Sequence, residues 1–432
     1  VYSEKMSIFN KTKAMADFSW VHQDMYQKLF ACLPDPTCMR FVGGVVRNTF
    51  LNLPFDDVDF ATSYRPEEMT AFFNQHGCKV IPTGIEHGTV TVLSHGNAYE
   101  ITTLRRDIET DGRHAIIAYT PMWEEDAQRR DFTMNAMYVD HCGTVHDYVG
   151  GQNDVHHGLI RFIGDPERRI TEDYLRILRF FRFWALYGRH ADPDGLEVCF
   201  RMKDHLAQLS SERITKEMLK LLGAKDPWPI LSIMNSGGLY PLVWGNQGRP
   251  HGISALQILE NLWGPADLWV RLAMVTGCMP QRLTLSRSQK KHLQDLWTEL
   301  DETELWASVY TVGLPVTQER MWMKALLGLV EWSKPSSLAE VDGSQRVHET
   351  EALPNAMIQW LESRKKEIQE LGQQIFPDFP LSGRDVMSLG ISGPEIGRVL
   401  QGTKAWWIQC KGRPTHEECL EYAGKIPGNP AL

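Results

Sequence analysis

The sequence predicts an α+β protein, with a small mixed α/β domain followed by a long all-helical remainder. Three observations predict it. Residues 18 to about 155 alternate strand and helix signals, strand signals nearly vanish after Val149, and from Ile160 onward the pattern is helical. At 432 residues the chain has room for about three domains with ample core.

Taken in order, the apolar pair Phe41 and Val42 precedes Gly43 and Gly44, and "VVRNTFLN" predicts a helix of about two turns. A strand, a glycine turn and a helix N-terminus present free N–H groups that suit a phosphate. Arg47, one turn into that helix, adds a charged fork for the same anion. The next segment, "DVDFA", reads as extended through Val58 and Phe60. Side chains at i and i+2 leave a strand by one face, so Asp57 and Asp59 point together. Two carboxylates there would hold divalent metal ions beside the phosphates, as phosphoryl and nucleotidyl transfer require. A lone GG is more often a tight turn, and a lone D-x-D more often a solvated loop. Their closeness, and the strand pattern around the second, favour the chemistry.

"RPEEMTAFFNQHG" reads as a helix that starts at Pro66 with two glutamates and stops at Gly77. "GTVTVLSHGNAYEITTLR" reads as a hairpin turning at residues 95–97, its second strand carrying Glu100. Glu100 is either a third carboxylate beside the D-x-D strand or an ordinary strand residue. "RRDFTMNAM" (129–137) sets two arginines beside an aspartate, which in isolation reads as a surface salt bridge.

"ITEDYLRILRFFRFWALYG" predicts one helix in which Arg176, Arg179 and Arg182 recur every third residue between apolar and aromatic neighbours. Such a helix is largely buried, so its arginines need anionic or hydrogen-bonding partners. Glu172 and Asp173 supply two by i, i+4 and i, i+3 pairing. At least one arginine is left over for a nucleotide, unless the set forms an internal salt-bridge network. Breaks are predicted near 192–195, 245–252 and 332–337, the last two as segment boundaries.

Hydrophobic residues at 43% and charged residues at 23% describe an ordinary globular composition. The net charge of −9 argues against indiscriminate nucleic-acid binding while allowing a local basic track. The eight cysteines contain no C-x-x-C pair, so neither a zinc site nor a disulfide framework is expected, and a reducing compartment is. No apolar run approaches the roughly 20 residues of a membrane span. Residues 1–18 lack the apolar core of a secretory signal.

With these motifs in place, the chain resembles the class II tRNA nucleotidyltransferases, the CCA-adding family of the polymerase-β-like superfamily. "GGVVRN" with "DDVDFAT" is similar to that family's first motif, GG-x-V-R-D followed by D-x-D. "RRDFTMNAM" resembles its ribose-selecting motif, "EDYLR" its E-D-x-x-R template for the incoming base, and "SSERITKEMLKLL" (210–222) its neck-helix motif. "RRDIETDGRH" resembles the flexible loop needed for the final A, here about 107–118. "LGISGPEIGRVL" (389–400) resembles a tail segment placed near tRNA. One departure is Asn48, where the family usually has Asp.

The resemblance implies a transferase, a magnesium-dependent nucleotidyltransferase of tRNA processing. It would add C, C and A to the tRNA 3′ end from CTP and ATP with release of pyrophosphate. It implies a head at 18–155, a neck at 156–245, a body at 246–335 and a tRNA-binding tail at 336–432. Asp57 and Asp59 would bind Mg²⁺; Gly44 and Arg47 would touch the triphosphate; Arg130 would contact the nucleotide. Asp173 and Arg176 would read the base, with Arg179 and Arg182 supporting the base readers or the phosphates. The alternatives are a CC-adding, A-adding or poly(A) polymerase variant of the same head, or a non-catalytic RNA-binding protein. The implied setting is a bacterial cytoplasm, or else a mitochondrial matrix. Trp406 and Trp407 are expected in core rather than stacked on RNA.

Overall fold

Alternating apolar residues at Phe41 and Phe60 on one side, and Val42 and Ala61 on the other, make the first two strands two-faced, with something to bury on each side. In the computed structural model they pair antiparallel, Phe41 opposite Phe60 and Val42 opposite Asp59. The described residues are 16–55, 57–94, 96–111, 114–246, 248, 250–297, 307–308, 314–332 and 377–426, with a few more between 359 and 373.

The strands up to residue 147 are β1 (Met39–Val42), β2 (Asp59–Thr62), β3 (Lys79–Gly84), β4 (Thr89–Ser94), β5 (Asn97–Thr103), β6 (Arg105–Asp111), β7 (His114–Tyr119), β8 (Met137–Val139) and β9 (Val145–Asp147), and two short strands beyond them, Leu159–Ile160 and His190–Ala191, pair parallel to each other. Seven of them form one sheet in the order β3-β4-β5-β2-β1-β8-β9, while β6 and β7 form a separate antiparallel pair. β4 and β5 are the predicted hairpin, and β2 runs parallel to β5 with Asp59 opposite Glu100. One face carries an aromatic cluster, with the Phe41 and Phe60 rings 4.7 Å apart and Tyr26, Phe30 and Tyr99 around them. The other face packs Val42, Ala61, Leu104, Ala136 and Tyr138.

The α-helices up to residue 222 are α1 (Asp24–Phe30), α2 (Gly44–Leu51), α3 (Pro66–Gln75), α4 (Trp123–Gln128), α5 (Gly151–His157), α6 (Pro166–Glu172), α7 (Leu175–Tyr187), α8 (Pro193–Arg201) and α9 (Ser211–Leu222), followed by the helices Trp228–Ser236 and Tyr240–Trp244. α2 and α3 fall where the glycine turn and the Pro66 start predict them. By internal packing the chain divides into two compact units: 1–247 with 280–284, and 248–279 with 285–432. In the first, Arg282 donates to the carbonyls of Leu206, Leu209 and Leu242 and so ties 280–284 down. The second is helical among its described residues, with helices Pro250–Trp263, Leu268–Thr276, Arg287–Trp297, Leu314–Trp332, Gly383–Ser388, Pro394–Gln409 and His416–Gly424. Its last three helices enclose Trp407, and Trp406 stacks on Tyr422 at 4.2 Å, so both tryptophans sit in packed surroundings.

Three expectations change. The single helix predicted over "ITEDYLRILRFFRFWALYG" is two, because Asp173 is extended (φ −158°, ψ 107°) and separates α6 from α7. Its carboxylate accepts from the Leu175 N–H, the local hydrogen bond through which Asp competes with helix continuation. Where the resemblance implies a flexible loop at 107–118, residues 107–111 and 114–118 pair as the ribbon β6–β7, as the β-branched Ile108, Thr110, Ile116 and Ile117 allow. At 192–195 the chain starts a helix, with Asp192 capping α8. The break at 332–337 lies mostly outside the described residues. All eight cysteines are free. Among the described residues no helix is long and apolar enough to cross a membrane.

Candidate active site

Gly43 joins β1 to α2 with φ 75°, a conformation that glycine adopts without strain, and α2 begins at once with Gly44. The free N–H groups of its first turn therefore open at the end of β1. Arg47 is only 6% exposed. Its Nη1 donates to Asn135 Oδ1 at 2.7 Å, its Nε and Nη2 to Asn48 Oδ1 at 3.1 and 2.8 Å, and its guanidinium lies 3.8 Å from the Tyr187 ring. Asn48 thus supplies the acceptor but not the charge that Asp would bring. Among the described residues no carboxylate comes within ion-pair distance of Arg47. Burial, with Arg182 and Arg179 nearby, pushes its pKa down to about 10, which leaves it cationic at neutral pH.

The opposite wall is α7. Each of its three arginines has a carboxylate, so none is left over as the sequence suggested. Arg176 Nη1 reaches Glu172 at 2.6 Å, Arg179 Nε donates to Asp131 at 2.8 Å, and Arg182 meets Glu217 of α9 at 2.8 Å. Asp131 and Glu217 lie far from these arginines along the chain, where helical spacing cannot announce them. Asp173 does not pair with Arg176; its Oδ2 accepts from Arg213 Nη2 at 2.7 Å.

"RRDFTMNAM" is not a surface bridge. Asp126, 1% exposed, accepts from Arg129 on one oxygen and from Arg130 and the Tyr138 hydroxyl on the other. Burial alone would raise its pKa, but the two guanidinium groups hold it well below the carboxylate range. Asp131, also buried, accepts from Phe132 N–H and Asn135 Nδ2 as well as Arg179. Burial is outweighed there in the same way. Arg179, Asp131, Asn135 and Arg47 form one hydrogen-bonded chain from α7 to α2.

A cleft of about 430 Å³ lies between these elements. Gly44, Arg47, Arg130, Asp173, Arg176 and Arg179 line it, together with Arg129, Asp131, Asn135 and Arg213, to which the sequence alone assigns no role in the site. All four lie inside quoted motifs. Asp126 shows a local signal, standing three and four residues before Arg129 and Arg130. Arg182, Asp57 and Asp59 are not part of the lining. Asp57 precedes β2, whose first residue is Asp59, and both are exposed. Partial burial of the carboxyl and the neighbouring Glu100 and Asp57 push the Asp59 pKa up, against a lowering by Arg130.

Asp57, Asp59 and Glu100 are hard oxygen donors, and such donors fit Mg²⁺. Among the described residues no group of three or more His, Cys, Asp or Glu is placed to hold a metal by itself. A pair of carboxylates completed by substrate phosphates is the way Mg²⁺ usually binds.

Comparison with known proteins agrees with this geometry. The model of the poly A polymerase head domain matches residues 39–161, and that of the probable RNA and SrmB-binding site of polymerase A matches 191–243. The mitochondrial CCA tRNA nucleotidyltransferase 1 of Mus musculus is 33% identical over 401 residues, covering 90% of this chain and 86% of that protein. The CCA-adding enzyme of Limosilactobacillus fermentum is 41% identical over 395 residues, covering 89% and 92%. The fold is that of the Bacillus stearothermophilus CCA-adding enzyme solved with CTP (TM-score 0.69, 24% identity, 93% of this chain and 97% of that one).

Proposed function

Because the chain belongs to the CCA tRNA nucleotidyltransferase family, we propose that its cleft builds the 3′ end of tRNA by adding C, C and A from CTP and ATP without a nucleic-acid template. The tRNA 3′-hydroxyl attacks the α-phosphorus and pyrophosphate leaves. The observation that carries this reading is the meeting, in one cleft, of a helix N-terminus and a buried cation with Arg130, Asp173, Arg176 and Arg179.

Each residue then has a task. The N–H groups of α2 and Arg47 bind the triphosphate, and Arg130, fixed by Asp126, contacts the nucleotide. Cytosine and adenine present an amino donor beside a ring-nitrogen acceptor, so Asp173 accepts from the first and Arg176 donates to the second. Uracil and guanine present the reverse pattern and are refused. Arg179 and Arg182 hold α7 in place through Asp131 and Glu217. Asp57 and Asp59, with Glu100 alongside, would hold Mg²⁺, which when bound lowers the pKa of the attacking hydroxyl and neutralises the leaving pyrophosphate.

Residues 18–155 serve as head, 156–245 as neck, 246–335 as body and 336–432 as tail. The ribbon β6–β7 is assigned to the final A, and the tail, with exposed Arg384 and Arg398, to tRNA. A bacterial cytoplasm is the proposed setting, supported by the higher identity to the bacterial relative than to the mitochondrial one. The test is incorporation of labelled CTP and ATP into tRNA lacking its 3′ end. Sequential gain of C, C and A supports the assignment. Gain of CC alone, A alone or an A tract selects a variant activity, and no gain leaves an RNA-binding protein.

A further inference from the structure

Asp173 is not directed by a helix. It stands in the extended break between α6 and α7, where its side chain is aimed only by what holds its two oxygens. Oδ1 accepts from the Leu175 N–H at 3.1 Å, a contact that an Asn would make as well. Oδ2 accepts from Arg213 Nη2 at 2.7 Å. Arg213 lies in the first turn of α9 and lines the same cleft as Asp173 and Arg176. One turn further along α9, Glu217 is bridged to Arg182 of α7 at 2.8 Å. α9 therefore reaches the base-reading segment twice with opposite polarity, its carboxylate fixing α7 and its guanidinium fixing Asp173, two residues before α7.

We propose that Arg213 is a specificity-determining positioning residue: by holding Asp173 Oδ2 it aims the carboxylate into the cleft as a pure acceptor, and selection of C and A over U and G depends on it. Each carboxylate oxygen has two acceptor positions, so the bond to Arg213 leaves room for a base amino group. A carboxylate free to rotate would offer that acceptor only part of the time, and the penalty on a carbonyl-bearing base would fall accordingly. Arg213 and Asp173 remain 28% and 25% exposed. The pair therefore adds little to global stability, and its loss is not expected to unfold the chain.

This rests on Asp173 being a base reader, and the experiment separates the two claims. Relative kcat/KM for CTP, ATP, UTP and GTP is measured for wild type, Asp173→Ala, Arg213→Gln, Arg213→Lys and the double variant Asp173→Ala/Arg213→Gln, with thermal unfolding of each. Arg213→Gln is expected to weaken CTP and ATP use and relax rejection of UTP and GTP by roughly tenfold. Arg213→Lys, which keeps a donor cation, restores part of the selectivity. The double variant matches Asp173→Ala alone, because Arg213 acts through Asp173. Relaxed selectivity in Asp173→Ala with unchanged selectivity in Arg213→Gln overturns the positioning role while sparing the base-reading one. Additive effects in the double variant do the same. Unchanged selectivity in Asp173→Ala removes both.

Discussion

The α7 region and the β1–β2 region treat charge in opposite ways. On the α7 side every arginine is matched to a carboxylate inside the protein: Arg176 to Glu172, Arg179 to Asp131 and Arg182 to Glu217. On the β1–α2 side Arg47 is a buried cation held by neutral amides. At the start of β2, Asp57 and Asp59 are anions beside another anion. The first arrangement is complete without ligand and fixes geometry. The second lacks such partners among the described residues; under the proposed function a triphosphate would supply the anion and a metal the cation. Rigidity and reactivity are thus assigned to different regions.

The largest effect separating them is expected at β2. Asp57→Asn or Asp59→Asn should leave the fold and tRNA binding nearly intact while lowering turnover roughly a thousandfold, since a lost metal ligand forfeits several kcal/mol of transition-state stabilisation. Turnover within about tenfold of wild type in both variants would refute the metal assignment.

In the paired region the loss falls on stability. Glu217→Gln leaves Arg182 buried without its counter-charge and should cost about 3 kcal/mol in chemical denaturation. A cost near zero would mean that this region is no more self-sufficient than the other.

Arg47→Met inverts that outcome. Removing a buried cation that, among the described residues, has no carboxylate within ion-pair distance should leave unfolding nearly unchanged, while KM for CTP and ATP rises about 10- to 30-fold from loss of a charge-assisted phosphate contact. A large fall in stability with unaltered KM would make Arg47 structural.

The smallest effect concerns acid. Asp126 and Asp131 have folded pKa values lowered from the ordinary 3.8. Their contribution to stability is full above that value and is lost as pH falls through the folded one. Asp59 is shifted the other way, so its folded form gives up stability as pH rises from 3.8 through its raised value. Unfolding measured from about pH 5 to about pH 3 should show a flatter acid loss in Asp126→Asn and a steeper one in Asp59→Asn.

Sequence disclosed what is local. The strand–glycine–helix turn at Gly43 was legible because Phe41, Val42 and the two glycines are contiguous, and the β4–β5 hairpin because its alternation is unbroken. The break at Asp173 was not. Glu172, Asp173 and Arg176 have helical spacing, and what ends the helix is an Asp–backbone bond together with a guanidinium forty residues further along the chain. Asp131 and Glu217 sat inside quoted motifs, yet nothing local says that they face Arg179 and Arg182 from separate elements. Asn48 was visible as a departure. Only the structure shows that it binds Arg47 while leaving its charge unmatched.

The parallel pairing of β2 with β5 places Asp59 opposite Glu100, although the chain between them must first form α3, β3 and β4. Closing that longer loop costs somewhat more entropy than the β1–β2 pairing, which is nearer in sequence, on the order of 0.6 kcal/mol per doubling of length. The neighbour that raises the Asp59 pKa is therefore brought in by a non-local pairing: a chain that formed β1 and β2 without docking β5 would carry the D-x-D strand without Glu100 beside it.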